Sequence, residues 1–209
     1  MSSTARRTRS DGERSRGAIL DEAARLATVE GLSGLSLGRL ADAVGMSKSG
    51  LFAHFGSKED LQLATVETAV RVFDAHVIAP AASAPPGLAR LRALVDAYLR
   101  YVETDVFPGG CFFAATLMEL NMQPGPVRDR LVVFFADWLQ HLASTVREAQ
   151  EVGEIDASED PDQLAFELEA AFFLANGQFV VMRSPEPLER ARRSIERRLA
   201  AAAPAAGQP

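Results

Sequence analysis

Cysteine is all but missing from this 209-residue chain: Cys111 stands alone, so no internal disulfide and no cysteine-rich metal framework can form. Histidine is nearly as scarce. There are three, and His76 and His141 lie too far apart to suggest a ligand pair; no metal and no cofactor is expected. No uninterrupted apolar run approaches the roughly 20 residues of a membrane-spanning helix. No apolar stretch follows the basic N-terminus either, which argues against a secretory signal. Phosphate loops and nucleophile–base spacings are also missing, which leaves an enzyme that uses a helical cavity as a distant alternative. These absences predict a cytoplasmic chain without a membrane partner. What remains is 24% charged and 47% hydrophobic residues with near-zero mean hydropathy, globular material for one large domain or two small ones.

The net charge of −6 is unevenly spread. Residues 1–60 hold nine Lys/Arg against eight Asp/Glu, and the remainder holds thirteen against twenty. Arg6, Arg7, Arg9, Arg14 and Arg16 form a basic arm, opposed only by Asp11 and Glu13. Any contact with phosphate is therefore expected at the N-terminal end, because the acidic remainder would be repelled. The arm reads equally as a solubilising tail or as a segment that adds phosphate or minor-groove affinity.

Helical periodicity dominates. Ile19, Ala23 and Leu26 form an apolar stripe that ends at Gly31. Ser36 can cap a short helix whose inner face is Leu37, Leu40, Ala41 and Val44, stopped by Gly45. Ser47 can cap a third, with Leu51 and Phe55 inward and Gly56 at its end. Ser57 can cap a fourth, from Lys58 to about Ile78. The stretch APAASAPPG (79–87) reads as a loop. Helices follow at Leu88–Thr104, Cys111–Leu120, Val127–Val152, Pro161–Arg183 and Pro187–Ala202. No period-two segments are present, so the fold class is all-α, with about nine helices. Residues 1–60 are expected to form one domain and 61–209 a second.

Two eight-residue helices separated by Gly45-Met46-Ser47 have the spacing of a helix-turn-helix, whose second helix enters the major groove. Packing of Leu37, Leu40, Val44, Met46, Leu51 and Phe55 would leave Lys48, Ser49, Gly50, Phe52, Ala53 and His54 outward. Ser47 opens a helix N-terminus at which a phosphate can sit. Lys48 adds a cation, and Ser49 a group able to bond a base edge or a phosphate.

Residues 15–65, above all the segment GMSKSGLFAHFGSKEDL with ILDEAARL and LADAVG upstream, resemble the DNA-binding domain of the tetracycline-repressor (TetR) family of transcriptional regulators. The resemblance implies a dimeric, all-helical regulator with a variable C-terminal effector-binding and dimerisation domain. It places Ser36, Ser47, Lys48, Ser49, Phe52, His54 and Lys58 at DNA-contacting positions. Phe52 stands where the family usually has tyrosine, so a phosphate-bonding hydroxyl is missing, and Ala53 replaces a larger or basic residue.

For a ligand pocket in the C-terminal part, the aromatic candidates are Phe112, Phe113, Phe134, Trp138 and Phe173, with Met118 beside them. Glu119, His141 and Asn176 are the polar candidates for orienting a ligand, with Asn121 and Gln178 behind them. At helical spacing each is also ordinary core material. Cys111 has no cationic neighbour to lower its pKa and reads as an inert thiol. The family's last long helices pack into a four-helix bundle between protomers. Here Ala170 and Gly177 would permit close approach, while Phe166, Phe173 and Val180 would supply buried area. The arginine-rich final helix reads as a solvated face. The expected function is a repressor homodimer on a double-stranded, palindromic operator, released by a small, largely apolar effector. A DNA-binding dimer without an effector, or an activator, is the alternative.

Overall fold

Three serines begin the short helices of the N-terminal region as the local sequence dictates. In the computed structural model, which describes residues 3–117, 119 and 124–204, the chain starts with α1 (Ser3–Glu30). Its backbone carries the basic arm as helix. Then come α2 (Leu37–Val44), α3 (Lys48–Phe55) and α4 (Lys58–Phe73). Ser36 Oγ accepts from Arg39 N–H at 3.2 Å, Ser47 Oγ from Gly50 N–H at 3.1 Å, and Ser57 Oγ from Asp60 N–H at 3.0 Å. Each satisfies one of the free donors of a helix N-terminus. Gly45, at φ +67°, turns the chain left-handed after α2. Met46 N–H returns to Ala41 C=O at 2.9 Å, a C-terminal closure that glycine makes without strain.

Leu40, Ala41, Leu51 and Phe55 are buried in the same core as Ile19, Leu20, Ala23, Ala24 and Ala27 of α1. α4 closes this small core with Leu61 and leads out of it.

Beyond Phe73 the rod continues where a loop is expected from Ala79. A π-helical segment (Asp74–Ile78) and α5 (Ala79–Ala82) extend it. Pro80 explains the wider turn. Its ring would crowd the carbonyl four residues back, that of His76. Ala79 N–H bonds Asp74 C=O instead, five residues back.

The remaining elements are α6 (Leu88–Glu103), α7 (Phe112–Leu117), α8 (Pro126–Glu151), α9 (Pro161–Met182) and α10 (Glu186–Ala201). Among the described residues there is no strand. With the rod from Lys58 to Ala82 counted as one, the described residues form nine helices. α8, α9 and α10 pack in sequence, with α6 and α4 against α8. Arg192 pairs with Asp96, Arg198 with Glu159 and Glu167, and Arg92 with Glu196. The arginine-rich last helix is thus tied to α6 and α9 instead of being only a solvated face; Arg190, Arg193 and Arg197 are its exposed arginines.

α9 bears on the expectation about apolar runs. At 22 residues it is, by length and composition, apolar enough to cross a membrane. Glu167 and Glu169 interrupt it, so the run is not continuous. One side, with Leu164, Leu168, Phe172 and Ala175, is core. The other side exposes Phe166 (62%), Leu174 (61%) and Val181 (83%).

Phe73 is the hub of the larger core. Its ring meets Tyr98, Tyr101, Phe113, Phe134 and Trp138 edge-on, with centroids 5.0–6.4 Å away, the preferred geometry for aromatic pairs. Truncation leaves a cavity among five rings. Phe73→Ala is expected to lower unfolding stability by about 3–5 kcal/mol, read as a shift in the denaturant midpoint at unchanged slope.

Candidate nucleic-acid interface and ligand cleft

The outward face of α3 is built from its N-terminal end. Ser47, Lys48, Ser49 and Phe52 are exposed, and Phe52 keeps 53% of its surface open. Gly50 is half-buried, and its N–H serves the Ser47 cap. Ser47 and Ser49 hydroxyls lie 3.2 Å apart, so that end presents a hydroxyl pair beside the Lys48 ammonium. Ser36 is exposed at the start of α2. The structure thus brings together the residues singled out on α2 and α3.

Two of the singled-out residues have internal partners. Lys58 Nζ donates to Ser33 C=O at 2.7 Å. The His54 ring is half-buried, tilted against Phe55, and its carbonyl accepts from the Arg16 guanidinium. Arg16, counted in the basic arm from sequence, lies 4.4 Å over the Phe55 ring. It places a cation at the C-terminal end of α3. Its position one turn before Ile19 and Leu20, on α1's buried face, was the signal available in the sequence.

The corner between α1 and α2 is gripped through its backbone. Leu32 and Ser33 N–H donate to the Glu119 carboxylate at 3.1 and 3.0 Å. Gln62 Nε2 donates to Leu32 C=O at 2.7 Å, beside the Lys58–Ser33 bond. Nearby, Gly109 N–H donates to Thr28 Oγ1 at 3.1 Å, and a Cβ on Gly109 would fall 1.9 Å from the Thr28 carbonyl oxygen. Glu119 therefore belongs to this corner and not to a ligand pocket, a correction caused by a contact 86 residues distant in sequence.

A cleft of about 290 Å³ lies between α4 with its π-helical extension and α8. Of the sequence candidates, Phe134, Trp138 and His141 line it. Val70, Phe73, Asp74, Ile78, Arg130 and Asp137 complete it. Phe112 and Phe113 are fully buried instead, Phe113 stacked on Phe134. Asn176 is not free to orient a ligand, since its Oδ1 accepts Cys111 N–H at 2.8 Å. Phe173 is half-buried on α9. Met118 and Asn121 lie outside the described residues.

Comparison with known proteins agrees with this geometry. Residues 19–65 match the family model for bacterial regulatory proteins of the tetR family, and residues 87–195 match the tetracyclin repressor-like C-terminal domain. The chain belongs to the TetR family. Transcriptional regulator AcuR of Cereibacter sphaeroides is 30% identical over 141 residues, which span 66% of this chain and 64% of AcuR. A TetR transcriptional regulator from Chloroflexus aurantiacus superposes with a TM-score of 0.84 at 25% identity, over 91% of this chain and 96% of that one. AibR, solved with isovaleryl coenzyme A and operator DNA, shares the fold with a TM-score of 0.69. It is 23% identical, over 87% of this chain and 95% of its own. The chain spans less than two thirds of the length of the curated relatives it matches, and those relatives are transcriptional regulators.

Inside the C-terminal part of the chain lies a half-buried carboxylate that the sequence did not reveal. The Glu169 carboxylate accepts Trp138 Nε1–H at 2.7 Å. Burial pushes its pKa up to about 7, against the opposing Trp138 bond. Burial also pushes the Cys111 thiol up to about 11, which keeps it protonated and inert as expected. Among the described residues, the buried Tyr101 hydroxyl near Cys111 has no hydrogen-bond partner.

Because the folded chain holds the Glu169 proton to higher pH than the unfolded chain, the stability it contributes is full below the ordinary carboxylate pKa. That stability is lost as pH rises through about 7. Glu169→Gln keeps an acceptor for Trp138 and removes the titration. At about pH 8 the variant is expected to exceed the parent in stability by on the order of 2 kcal/mol. The gap should close near pH 4, as measured by paired denaturation curves; a gap independent of pH would contradict the assignment.

Proposed function

We propose that this protein is a repressor that occupies a palindromic operator as a homodimer and leaves it when a small molecule fills the cleft between α4 and α8. The observation that carries the reading is the exposed N-terminal end of α3, with Ser47, Lys48, Ser49 and Phe52 outward on a helix-turn-helix. One such helix reads few bases. Two, held about 34 Å apart, meet successive turns of the same groove.

The second copy is held by the open side of α9. Phe166, Ala170, Leu174, Gly177 and Val181 recur at three- and four-residue spacing and are all exposed. The small residues allow close approach, and the large ones supply area. Phe173 sits half-buried at the margin. Val180 turns inward, where its Cγ2 would lie 2.7 Å from a Cβ on Gly110, so it adds less to this face than expected. Leu174 and Val181 take its place.

Release follows from the rod. Val70 and Phe73 line the cleft, and Gln62 and Lys58 on the same helix hold the Leu32–Ser33 corner. A ligand that displaces α4 moves two of the corner's grips, while Glu119 holds the other side. The corner then turns, and α2 and α3 turn with it. To move the population from 1:99 to 99:1, the ligand must prefer the released state by about 5.5 kcal/mol.

Fluorescence anisotropy with duplex from the protein's own promoter region tests this reading. Saturable binding is expected, and its absence would contradict the proposal. Lys48→Ala is expected to weaken binding uniformly across sequences and to lower the log–log salt slope by about one per protomer. Leu174→Glu is expected to yield monomers by sedimentation and to abolish operator binding while preserving helicity.

A further inference from the structure

We propose that the cleft between α4 and α8 takes a small organic cation, one that presents an alkylated or protonated amine to Asp74 and Asp137 and an apolar body to Trp138. This inference rests on the cleft being the effector site.

The charges around the cleft can be taken one at a time. Arg130 reaches it but is forked onto Glu67, with Nη2 3.1 Å from Oε2 and Nε on Oε1. Its charge is matched within the protein. His141 faces Glu148, Asp74 and Arg90, and burial together with Arg90 holds its pKa below the ordinary value. The ring is therefore neutral at neutral pH. Asp74 and Asp137 remain. Both line the cleft and are exposed, and among the described residues neither carboxylate has a hydrogen bond or ion pair. Both act on Arg130 through space. The rim thus carries two unmatched negative charges.

The walls favour the same ligand class. Trp138, Phe73 and Phe134 supply aromatic surface, and Val70 and Ile78 supply aliphatic surface. The Trp138 N–H is occupied by Glu169, which leaves its π-system as the group the cleft can use. The negative face of an aromatic ring attracts a cation, tryptophan most strongly. An anion would meet the two aspartates without a free cation to offset them. A neutral ligand would cover both carboxylates and return at most a neutral hydrogen bond, with no opposite charge, for their lost hydration. The volume, near the low end of the range for small-molecule sites, limits the ligand to a compact body.

Asp74 owes its place to the wide turn. It is the first residue of the π-helical segment, and its carbonyl accepts the i+5 bond. Asp137 approaches from α8, one residue before Trp138. The two charges therefore come from different helices, and a bound cation would pull on both.

Trp138 is the only tryptophan in the chain, so its fluorescence reports on the cleft directly. The full chain is titrated with benzyltrimethylammonium, benzyl alcohol and benzoate. A saturable change with benzyltrimethylammonium is expected, weakened by added salt and absent for the other two at equal concentration. Asp74→Asn and Asp137→Asn, near-isosteric changes whose folding is checked by circular dichroism, should each weaken the cation by about tenfold.

Equal binding of benzoate or benzyl alcohol, no saturable signal with the cation, or unchanged affinity in both variants would overturn the inference. Operator binding, measured on the same preparation, separates the two readings. Operator bound without cation binding removes this inference and leaves the regulator reading. Cation binding without any operator binding does the reverse.

Discussion

Two backbone units, Leu32 and Ser33, carry the connection on which the rest of the molecule depends. Their N–H groups are held by Glu119, and their C=O groups by Gln62 and Lys58. A carboxylate binding two amides and two side-chain donors binding two carbonyls leave this corner fully satisfied. Because the grips come from two elements, the orientation of α2 and α3 is set by how α4 sits relative to Glu119. The Thr28–Gly109 bond adds a third tie one turn earlier, at a spot where only glycine fits. A helix-turn-helix with a small core of its own is thereby slaved to the larger body.

The N-terminal half was legible because its decisive interactions are local. Ser36, Ser47 and Ser57 cap helices within three residues of themselves, and Gly45 turns the chain where a left-handed residue is needed. Such features are written in adjacent letters. Glu119 and Asn176 were misread for the opposite reason. Each is a buried or half-buried polar group near aromatic residues, which is also what a ligand-orienting residue looks like, and their true partners lie 87 and 65 positions away. The continuation past Ala79 was hidden by Pro80. The sequence shows a helix breaker, and only the geometry shows that a wider turn accommodates it.

A chain with 7% aromatic residues has gathered many of them around Phe73. That concentration shapes both the core and the cleft, because Phe73, Phe134 and Trp138 belong to each. Packing that stabilises the body is thus continuous with the surface on which a ligand would press. The wide turn after Phe73 brings Asp74 to the edge of the same aromatic group, and Glu169 holds Trp138 from behind. Charge and apolar area are set side by side without any of these groups being adjacent in sequence.

The corner at Leu32 and Ser33 is read entirely through main-chain atoms, and this has a consequence for engineering. The exposed Ser33 side chain is free to drift so long as its peptide group stays in place, whereas Leu32, buried in the core, and Glu119, Gln62 and Lys58 are not. A chimaera that joins this reading head to a foreign sensing body needs the three matched donor and acceptor side chains and an apolar seat for Leu32. The joint is portable, and the specificity of either end can be exchanged across it.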